Sequence, residues 1–176
     1  RLLARGHAVT VLVRPATLAR HTALLAHWQA LAHVTQAALT VAPGDIDEPT
    51  LPGEPTFDHV FHLAARYDLA AEEAELLRTN VDGTRHLIDW LRRPAFRGVL
   101  HHISSVAVVG DHEGELREDD LDVGQSHPHP YHRSKFLAEQ QVRGSGLRAR
   151  IYRPSAIVGD SRTGVIDRAD GPYYLF

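Results

Sequence analysis

The sequence predicts an α/β domain in which a parallel sheet is covered by helices on both faces. Five short apolar runs alternate with stretches of helical periodicity along the 176 residues. The first run, residues 8–13, is continuous and rich in β-branched residues, which is typical of a buried parallel strand. The composition agrees, because 43% hydrophobic and 23% charged residues suit a globular domain with a single core.

The elements are delimited by ordinary start and stop signals. Residues 1–5 have the spacing of a closing helical turn, and Gly6 stands where a C-cap glycine is expected. Proline or glycine ends the first, second and last strands. Strands are predicted at residues 8–13, 38–42, 59–63, 98–103 and 148–152, and helices at 16–33, 70–93 (interrupted at the letters NVDGT) and 131–143. Residues 111–130 are polar and irregular.

Charge and composition exclude several classes of protein. A net charge of −3 offers no basic surface for a phosphate backbone, so we expect no nucleic-acid partner. The absence of cysteine excludes a disulfide scaffold and a thiol nucleophile. No apolar run reaches the ~18 residues of a membrane span, and the N-terminal residues lack the pattern of a signal peptide, so we expect neither. We expect a cytoplasmic protein that does not insert stably into membranes. The sequence does not predict the oligomeric state.

The strongest chemical signal is a tyrosine and a lysine four residues apart. Tyr131 and Lys135 lie on one face of a predicted helix, and an ammonium beside a phenol is expected to lower the pKa of the phenol. A phenol tuned in this way donates and accepts protons near neutral pH. The motif alone is common, and an ordinary surface helix is the alternative.

Further polar residues follow the predicted strands, where open parallel sheets bind ligands. Ser104 and Ser105 end the fourth strand, and they either bind a ligand or satisfy backbone groups. Asp45 follows the second strand, where a simple turn is the alternative. Asn80 lies within a helix, which suits it poorly unless it faces solvent or has a specific contact. The other strand-end residues are Arg14, Leu63, Ala64, Ala65, Arg153, Pro154 and Ser155.

Five segments, taken in order, resemble the extended short-chain dehydrogenase/reductases: HLAA, NVDGT, SSVAVVG, YHRSK and RPSAIVGDS. The resemblance covers essentially all 176 residues and implies a Rossmann-type, doubly wound NAD(P)-binding domain over residues 1–176. It implies a catalytic set in which Ser105 binds the substrate oxygen, Tyr131 gives the proton, Lys135 is its partner and Asn80 lies nearby. Ser105 rather than Ser104 matches, because it lies five positions before Gly110.

The same resemblance implies a cofactor site. Arg14 ends the first strand, where an acid would select NAD and an arginine accommodates the 2′-phosphate of NADP, so NADP(H) is expected, with NAD(H) possible. A solvated surface arginine is the alternative. The residues expected at the cofactor are Arg14, Asp45, Ile46, Leu63, Ala64, Ala65, Ser104, Tyr131, Lys135, Arg153, Pro154 and Ser155.

Narrower segments, among them FHLAARYDL and DGPYYLF, look like the male-sterility or thioester-reductase branch and are most similar to bacterial fatty acyl-CoA reductases. That branch implies reduction of a small-molecule acyl thioester or aldehyde. The alternatives are a sugar-nucleotide epimerase or dehydratase, a hydroxysteroid-type dehydrogenase, and a non-catalytic cofactor-binding domain. The segment HPHPYH groups three histidines, but no acidic ligand accompanies them and the family needs no metal, so no metal site is expected.

The sequence departs from the family pattern at one point. The first strand and its Gly-x-x-Gly-x-x-Gly turn are absent, as is the small substrate domain. We therefore expect a fragment in which the strands at 8–13 and 59–63 each carry an unpaired edge. Several unsatisfied backbone groups would cost the chain much of its stability, so the chain alone is expected to be inactive.

Overall fold

The structure, a computed structural model, describes residues 2–32, 38–68, 70–157 and 159–164. In this part of the chain there are five strands, every strand pair is parallel, and helices separate successive strands except between the second and third, which a loop connects. The strands are β1 Val9–Val13, β2 Leu39–Pro43, β3 His59–His62, β4 Val99–Ile103 and β5 Ala149–Tyr152; the helices are α1 Leu18–Ala32, α2 Glu73–Leu76, α3 Gly83–Leu91 and α4 Pro130–Arg143. The predicted fold class is confirmed, and each strand lies within one residue of its predicted bounds.

The strands form two separate parallel sheets. β1 pairs with β2 from Val9 opposite Leu39 to Val13 opposite Pro43. β4 lies between β3 and β5 in the second sheet. Among the described residues no strand joins β1 to β3, so each presents one unpaired edge. These are the two strands for which the sequence predicts an open edge.

Each sheet has its own hydrophobic cluster. Leu3, Leu25 and Leu39 are buried together beside the two-stranded sheet. The larger cluster packs α3 and α4 against the three-stranded sheet, and its buried members are Ile46, Leu51, Leu87, Ile88, Trp90, Leu91, Phe96, Leu100 and Val142. Ile46 and Leu51 belong to the loop after β2, so this loop connects the small sheet to the larger core.

The predicted helix at 70–93 is two helices joined by a wider turn. Residues Leu77–Asp82 form a single π-helical turn between α2 and α3. This turn overlaps the letters NVDGT, at which the sequence predicts an interruption of the helix. Gly83 begins α3 and packs directly against Ile46. A Cβ added to Gly83 would lie 3.1 Å from the isoleucine side chain. A larger residue at Gly83 would push this helix away from the loop after β2.

The N-terminal turn is also shorter than an α-helical one. Leu3–Arg5 form a 3-10 turn, and Gly6 closes it with φ of 82° and an N–H donated to the Leu3 carbonyl.

Within the described part of the chain, no helix combines the length and apolar character needed to cross a membrane.

Candidate active site

The site is built where α4 lies across the carboxyl end of β4. Three α4 side chains, each one turn apart, meet three consecutive residues at that strand end. Tyr131 interacts with the Ser105 hydroxyl, Lys135 donates to the Ile103 carbonyl, and Glu139 accepts from the Ser104 hydroxyl. The helical period of about 3.6 residues places all three on one face, which the Tyr-Lys spacing predicts for the first two.

The start of α4 fixes the backbone of Tyr131. Pro130 occupies the first helical position, which suits its restricted φ and missing N–H. The preceding residue, His129, caps the helix, because its Nδ1 accepts the N–H of Tyr131 at 3.1 Å. The Ser134 hydroxyl donates to the Tyr131 carbonyl at 2.8 Å. Tyr131 therefore lies in a helical turn that is held at both its N–H and its carbonyl.

The pKa of the Tyr131 phenol is raised, which corrects the lowering expected from Lys135. Burial is the largest cause, the interaction with the Ser105 hydroxyl opposes it, and Tyr67 adds to it. Tyr67 packs edge-to-face on Tyr131 with ring centroids 4.9 Å apart. The expected lowering fails because the Lys135 ammonium is directed to the Ile103 carbonyl in this structure.

Lys135 is the only lysine in the chain, since the other eighteen of its nineteen basic residues are arginines. It is 4% exposed, and its Nζ donates to the Ile103 carbonyl at 2.7 Å. Burial lowers the pKa of Lys135 from 10.5 to about 8, against an opposing effect of the Glu139 carboxylate. The amine is therefore close to titrating near neutral pH.

Two buried histidines, His62 and His102, are close enough to Lys135 for its charge to lower their pKa values. The His62 and His102 rings are 5.2 Å apart. Burial, assisted by the Lys135 charge, lowers the pKa of His62 to about 4; burial, with His62 and Lys135, lowers the pKa of His102 to about 2. His62 Nε2 hydrogen-bonds the Thr84 hydroxyl at 2.8 Å, whereas neither ring nitrogen of His102 has a hydrogen-bond partner in the described structure. Both rings are neutral at pH 7.

Ser105 is half-buried at the end of β4, and its hydroxyl caps a short 3-10 turn at Val106–Val109 by accepting the Ala107 N–H at 3.1 Å. Gly110 follows with φ of 60°, and a Cβ there would collide with the Ser126 carbonyl. Glycine is therefore required five residues after Ser105 for this turn to close. The Ser105 hydroxyl also makes the interaction with Tyr131 that opposes the rise in the pKa of that phenol.

Asn80, which the resemblance places near the catalytic residues, is connected to Tyr131 through the Ser134 hydroxyl. It is 2% exposed in the π-helical turn. Its Oδ1 accepts the Arg66 N–H at 2.7 Å, and its Nδ2 donates to the Arg66 carbonyl at 3.1 Å and to the Ser134 hydroxyl at 2.8 Å. Both amide protons are thus in use, so Asn80 joins the loop after β3 to α4 and leaves no donor for a substrate.

The side chains of Ser104 and Arg153, two residues expected at the cofactor, have partners within the protein. Ser104 is 4% exposed and donates to Glu139 at 2.6 Å. Arg153 donates twice to Glu139, at 2.7 and 3.1 Å, and to the carbonyls of Arg117 and Asp120. These donors are engaged within the protein, so only backbone groups there are open to a ligand. The side chain of Ile46 is also turned away from a ligand, because it is buried in the hydrophobic core.

Sequence reasoning missed Glu139. Its side chain is fully buried, and burial raises its pKa, but hydrogen bonds from Arg153, Ser104 and Arg143 outweigh that effect and hold the pKa below its usual value. The available signal was spacing, since Glu139 lies four residues after Lys135 and four before Arg143. The contact with Arg153, which lies beyond α4, carries no local signature.

Arg14, Asp45 and Gly44 line a cavity of about 670 Å³ at the carboxyl ends of β1 and β2. Arg14 is exposed, and no ion pair with a described carboxylate engages its guanidinium. The Asp45 carboxylate accepts the Asp47 N–H at 3.1 Å, which is an ordinary turn contact, and its second oxygen is available. The cavity is therefore lined by one cation, Arg14, and by two carboxylates, Asp45 and Glu48.

The remaining predicted cofactor residues lie at the ends of β3 and β5. Leu63 is 70% exposed directly after β3, and Ala64 and Ala65 beside it are exposed as well. After β5, Pro154 is half-buried and its carbonyl accepts the Val106 N–H at 3.1 Å, while Ser155 is exposed. These residues leave an accessible surface beside Ser105 and Tyr131.

The histidines of HPHPYH have structural contacts. His127 hydrogen-bonds the Val108 carbonyl at 3.0 Å and packs on Phe136, and His129 caps α4. His132 faces His129 with ring centroids 5.3 Å apart. Within the described residues, no three His, Asp or Glu side chains are grouped as metal ligands.

Comparison with known proteins places this site in a family. The model of the male sterility protein family matches residues 1–176. A linear gramicidin synthase of Brevibacillus parabrevis is 30% identical over 123 residues, which are 65% of this chain and 2% of that protein. A 4-hydroxy-2-methyl-3-oxo-4-farnesyl-3,4-dihydroquinoline-1-oxide ketoreductase of Stigmatella aurantiaca is 33% identical over 115 residues, 60% of this chain and 33% of that protein.

Among solved structures, the terminal R domain of the myxalamid PKS-NRPS biosynthetic pathway superposes with a TM-score of 0.74 and 26% identity. The match covers 93% of this chain and 47% of that one. The chain thus spans less than half the length of each of these proteins. The family model covers the whole chain and the parallel α/β fold agrees with it, so the chain belongs to the male sterility protein family of NAD(P)-binding oxidoreductase domains of the extended short-chain dehydrogenase/reductase type.

Proposed function

We propose that this chain forms the cofactor-binding and catalytic part of an NADP(H)-dependent reductase that acts on an acyl thioester or an aldehyde. The observation that carries the proposal is the meeting of Tyr131, Ser105 and Lys135 at the carboxyl end of β4. A phenol, a hydroxyl and an amine with a lowered pKa are the groups needed to bind and protonate a carbonyl oxygen.

When bound, the nicotinamide supplies the hydride. The substrate carbonyl oxygen then carries the developing negative charge, and the Ser105 hydroxyl donates a hydrogen bond to it. Tyr131 gives the oxygen its proton, which yields an alcohol from an aldehyde. From a thioester, the first reduction yields a hemithioacetal that releases a thiol and an aldehyde. Lys135 lies one helical turn away and would favour the resulting phenolate if its ammonium, which donates to the Ile103 carbonyl in this structure, approached the phenol.

The choice of basic residue supports this role for Lys135. The chain uses arginine at eighteen positions and lysine at one, and that one lies four residues after Tyr131. A guanidinium stays charged at any physiological pH, whereas an amine shifts its pKa readily when buried. With a pKa of about 8, Lys135 gains and loses a proton near neutral pH, as a partner in proton transfer must.

NADP(H) is preferred over NAD(H) in this proposal because of Arg14. Its exposed guanidinium lines the cavity of about 670 Å³ at the carboxyl ends of β1 and β2, where we place the ribose of the nucleotide. An arginine binds a phosphate through two parallel hydrogen bonds, while NAD presents only a hydroxyl there.

The relatives narrow the substrate class. The terminal R domain comes from a PKS-NRPS biosynthetic pathway and another relative is a linear gramicidin synthase, which supports an acyl thioester as the substrate. The Stigmatella relative is named a ketoreductase, which favours a ketone as the second candidate. A fatty acyl-CoA is the first substrate to test.

The test is cofactor consumption by the full-length protein with four substrates: a fatty acyl-CoA, the matching aldehyde, a ketone of similar length and a UDP-sugar. NADPH oxidation with the first two supports the proposal. Oxidation with the ketone alone favours a ketoreductase, and sugar epimerisation without net cofactor oxidation indicates an epimerase. Binding of NADPH with no turnover of any substrate would overturn the proposed enzymatic function.

A further inference from the structure

Glu139 is a buried charge that the proposed chemistry does not use. Its carboxylate is fully buried and accepts four hydrogen bonds, from Ser104 at 2.6 Å, Arg143 at 2.9 Å, and Arg153 at 2.7 and 3.1 Å. A buried charge is costly unless it is paired and fully hydrogen-bonded, and this one meets both conditions. Such a network is expected to hold its members in one arrangement.

The two arginines extend the network to the polar loop that precedes α4. Arg143 donates to the carbonyls of Glu118 and Asp119, at 2.8 and 2.9 Å. Arg153 donates to the carbonyls of Arg117 and Asp120, at 3.2 and 2.5 Å. Four consecutive carbonyls are thus bound by two guanidiniums, and both guanidiniums pair with Glu139. The carboxylate therefore joins α4, the ends of β4 and β5, and this loop.

Each connection ends next to a residue of the proposed site. Ser104 lies between Ile103, whose carbonyl accepts the Lys135 ammonium, and Ser105, which interacts with Tyr131. Glu139 lies one helical turn beyond Lys135 on the same face of α4. A shift of the β4 end relative to α4 would therefore change the Lys135 contact and the Ser105–Tyr131 contact together.

We propose that Glu139 is a positioning residue, whose buried carboxylate holds the end of β4 against α4 and thereby sets the place and charge of Lys135 beside Tyr131. This inference rests on the proposed function for its catalytic consequence, but its effect on Lys135 is physical and measurable without turnover.

The charged and titratable groups around Lys135 fix the direction of the effect. Tyr131 and Glu139 lie one turn to either side of it on α4, and His62 of β3 and His102 of β4 are close enough for its charge to lower their pKa values. The Arg153 cation pairs with Glu139 at the end of β5. Glu139 is the anion in this set whose charge raises the pKa of Lys135. Its removal lowers that pKa further, since the remaining cation repels the ammonium.

The experiment compares Glu139→Gln with Glu139→Asp, Ser104→Ala and the control Glu73→Gln in the full-length protein. Glu73 of α2 pairs with Arg133 of α4 at the surface, so its loss removes an ion pair of α4 without touching the network. Selective ¹³C labelling of lysine reports the pKa of Lys135, and Lys135→Arg identifies its resonance. Turnover against pH is measured on the same samples.

We expect Glu139→Gln to lower the pKa of Lys135 and to reduce kcat by about 10- to 100-fold, the scale of small misplacements at a reacting centre. Glu139→Asp should recover part of kcat and part of the Lys135 pKa. Ser104→Ala should reduce kcat in a folded protein, and Glu73→Gln should change neither kcat nor that pKa.

A folded Glu139→Gln variant with unchanged kcat and unchanged Lys135 pKa would overturn the proposal. If Glu139→Gln does not fold, wild-type turnover by Ser104→Ala overturns it. A wild-type protein with no reductase activity refutes the proposed function instead, and the lysine titration then decides the role of Glu139.

Discussion

Replacing Lys135 by methionine tests whether the amine is as strongly perturbed as its burial requires. The folded protein loses the Lys135 proton near pH 8, whereas the unfolded chain keeps it to the ordinary value of about 10.5. Between these values the unfolded state binds more protons, so the free energy of unfolding rises with pH across this window. The lowering of the pKa from 10.5 to about 8 corresponds to about 3 kcal/mol.

The assay is reversible urea unfolding of the wild-type protein and of Lys135→Met from pH 7 to pH 10.5. The other titratable groups are the same in both proteins, so they largely cancel in the difference between the two free energies. We expect the wild type to gain about 3 kcal/mol relative to the variant as pH rises from about 8 to about 10.5. Lys135→Arg, which stays charged, should show no such gain. A difference that is constant over this range would refute the assignment of Lys135 as a buried, perturbed amine.

Two further substitutions test the cofactor side and the buried histidines. Arg14→Asp replaces an attraction for a 2′-phosphate by a repulsion, so preference should move from NADPH towards NADH by about 1–3 kcal/mol in kcat/KM; equal use of both cofactors by the wild type would show that Arg14 does not contact the nucleotide. His102→Leu replaces an imidazole that is 1% exposed and lacks a hydrogen-bond partner in the described structure, so urea unfolding at pH 7 should show a stability gain of about 1–3 kcal/mol. The same variant should lose less stability below pH 6.5, where the unfolded chain takes up a proton that the folded His102 refuses; a destabilised variant would contradict this account.

The strands and the Tyr-Lys pair were predictable because their signals are local. Apolar β-branched runs bounded by proline or glycine indicate buried strands, and a four-residue spacing places two side chains on one helix face. The contacts of Glu139 were not predictable in this way. They depend on Arg153, which follows β5 and lies fourteen residues away along the chain.

The electrostatics of Tyr131 show the same limit. Spacing places an ammonium one turn from the phenol, but it does not indicate which acceptor the ammonium takes. In the folded chain Lys135 binds the Ile103 carbonyl, burial dominates at Tyr131, and the pKa of the phenol moves up. Whether a side chain is buried is a tertiary property, so the sign of this shift needed the structure.

The central claim is that Tyr131 protonates the reduced carbonyl oxygen. Its most direct test is the single-turnover rate of NADPH oxidation with an acyl-CoA for the wild type and for Tyr131→Phe, which keeps the ring and its contact with Tyr67 but removes the proton. We expect the rate to fall by at least ~100-fold, the scale of general acid catalysis, with NADPH affinity little changed. A Tyr131→Phe protein that oxidises NADPH at nearly the wild-type rate would contradict the account.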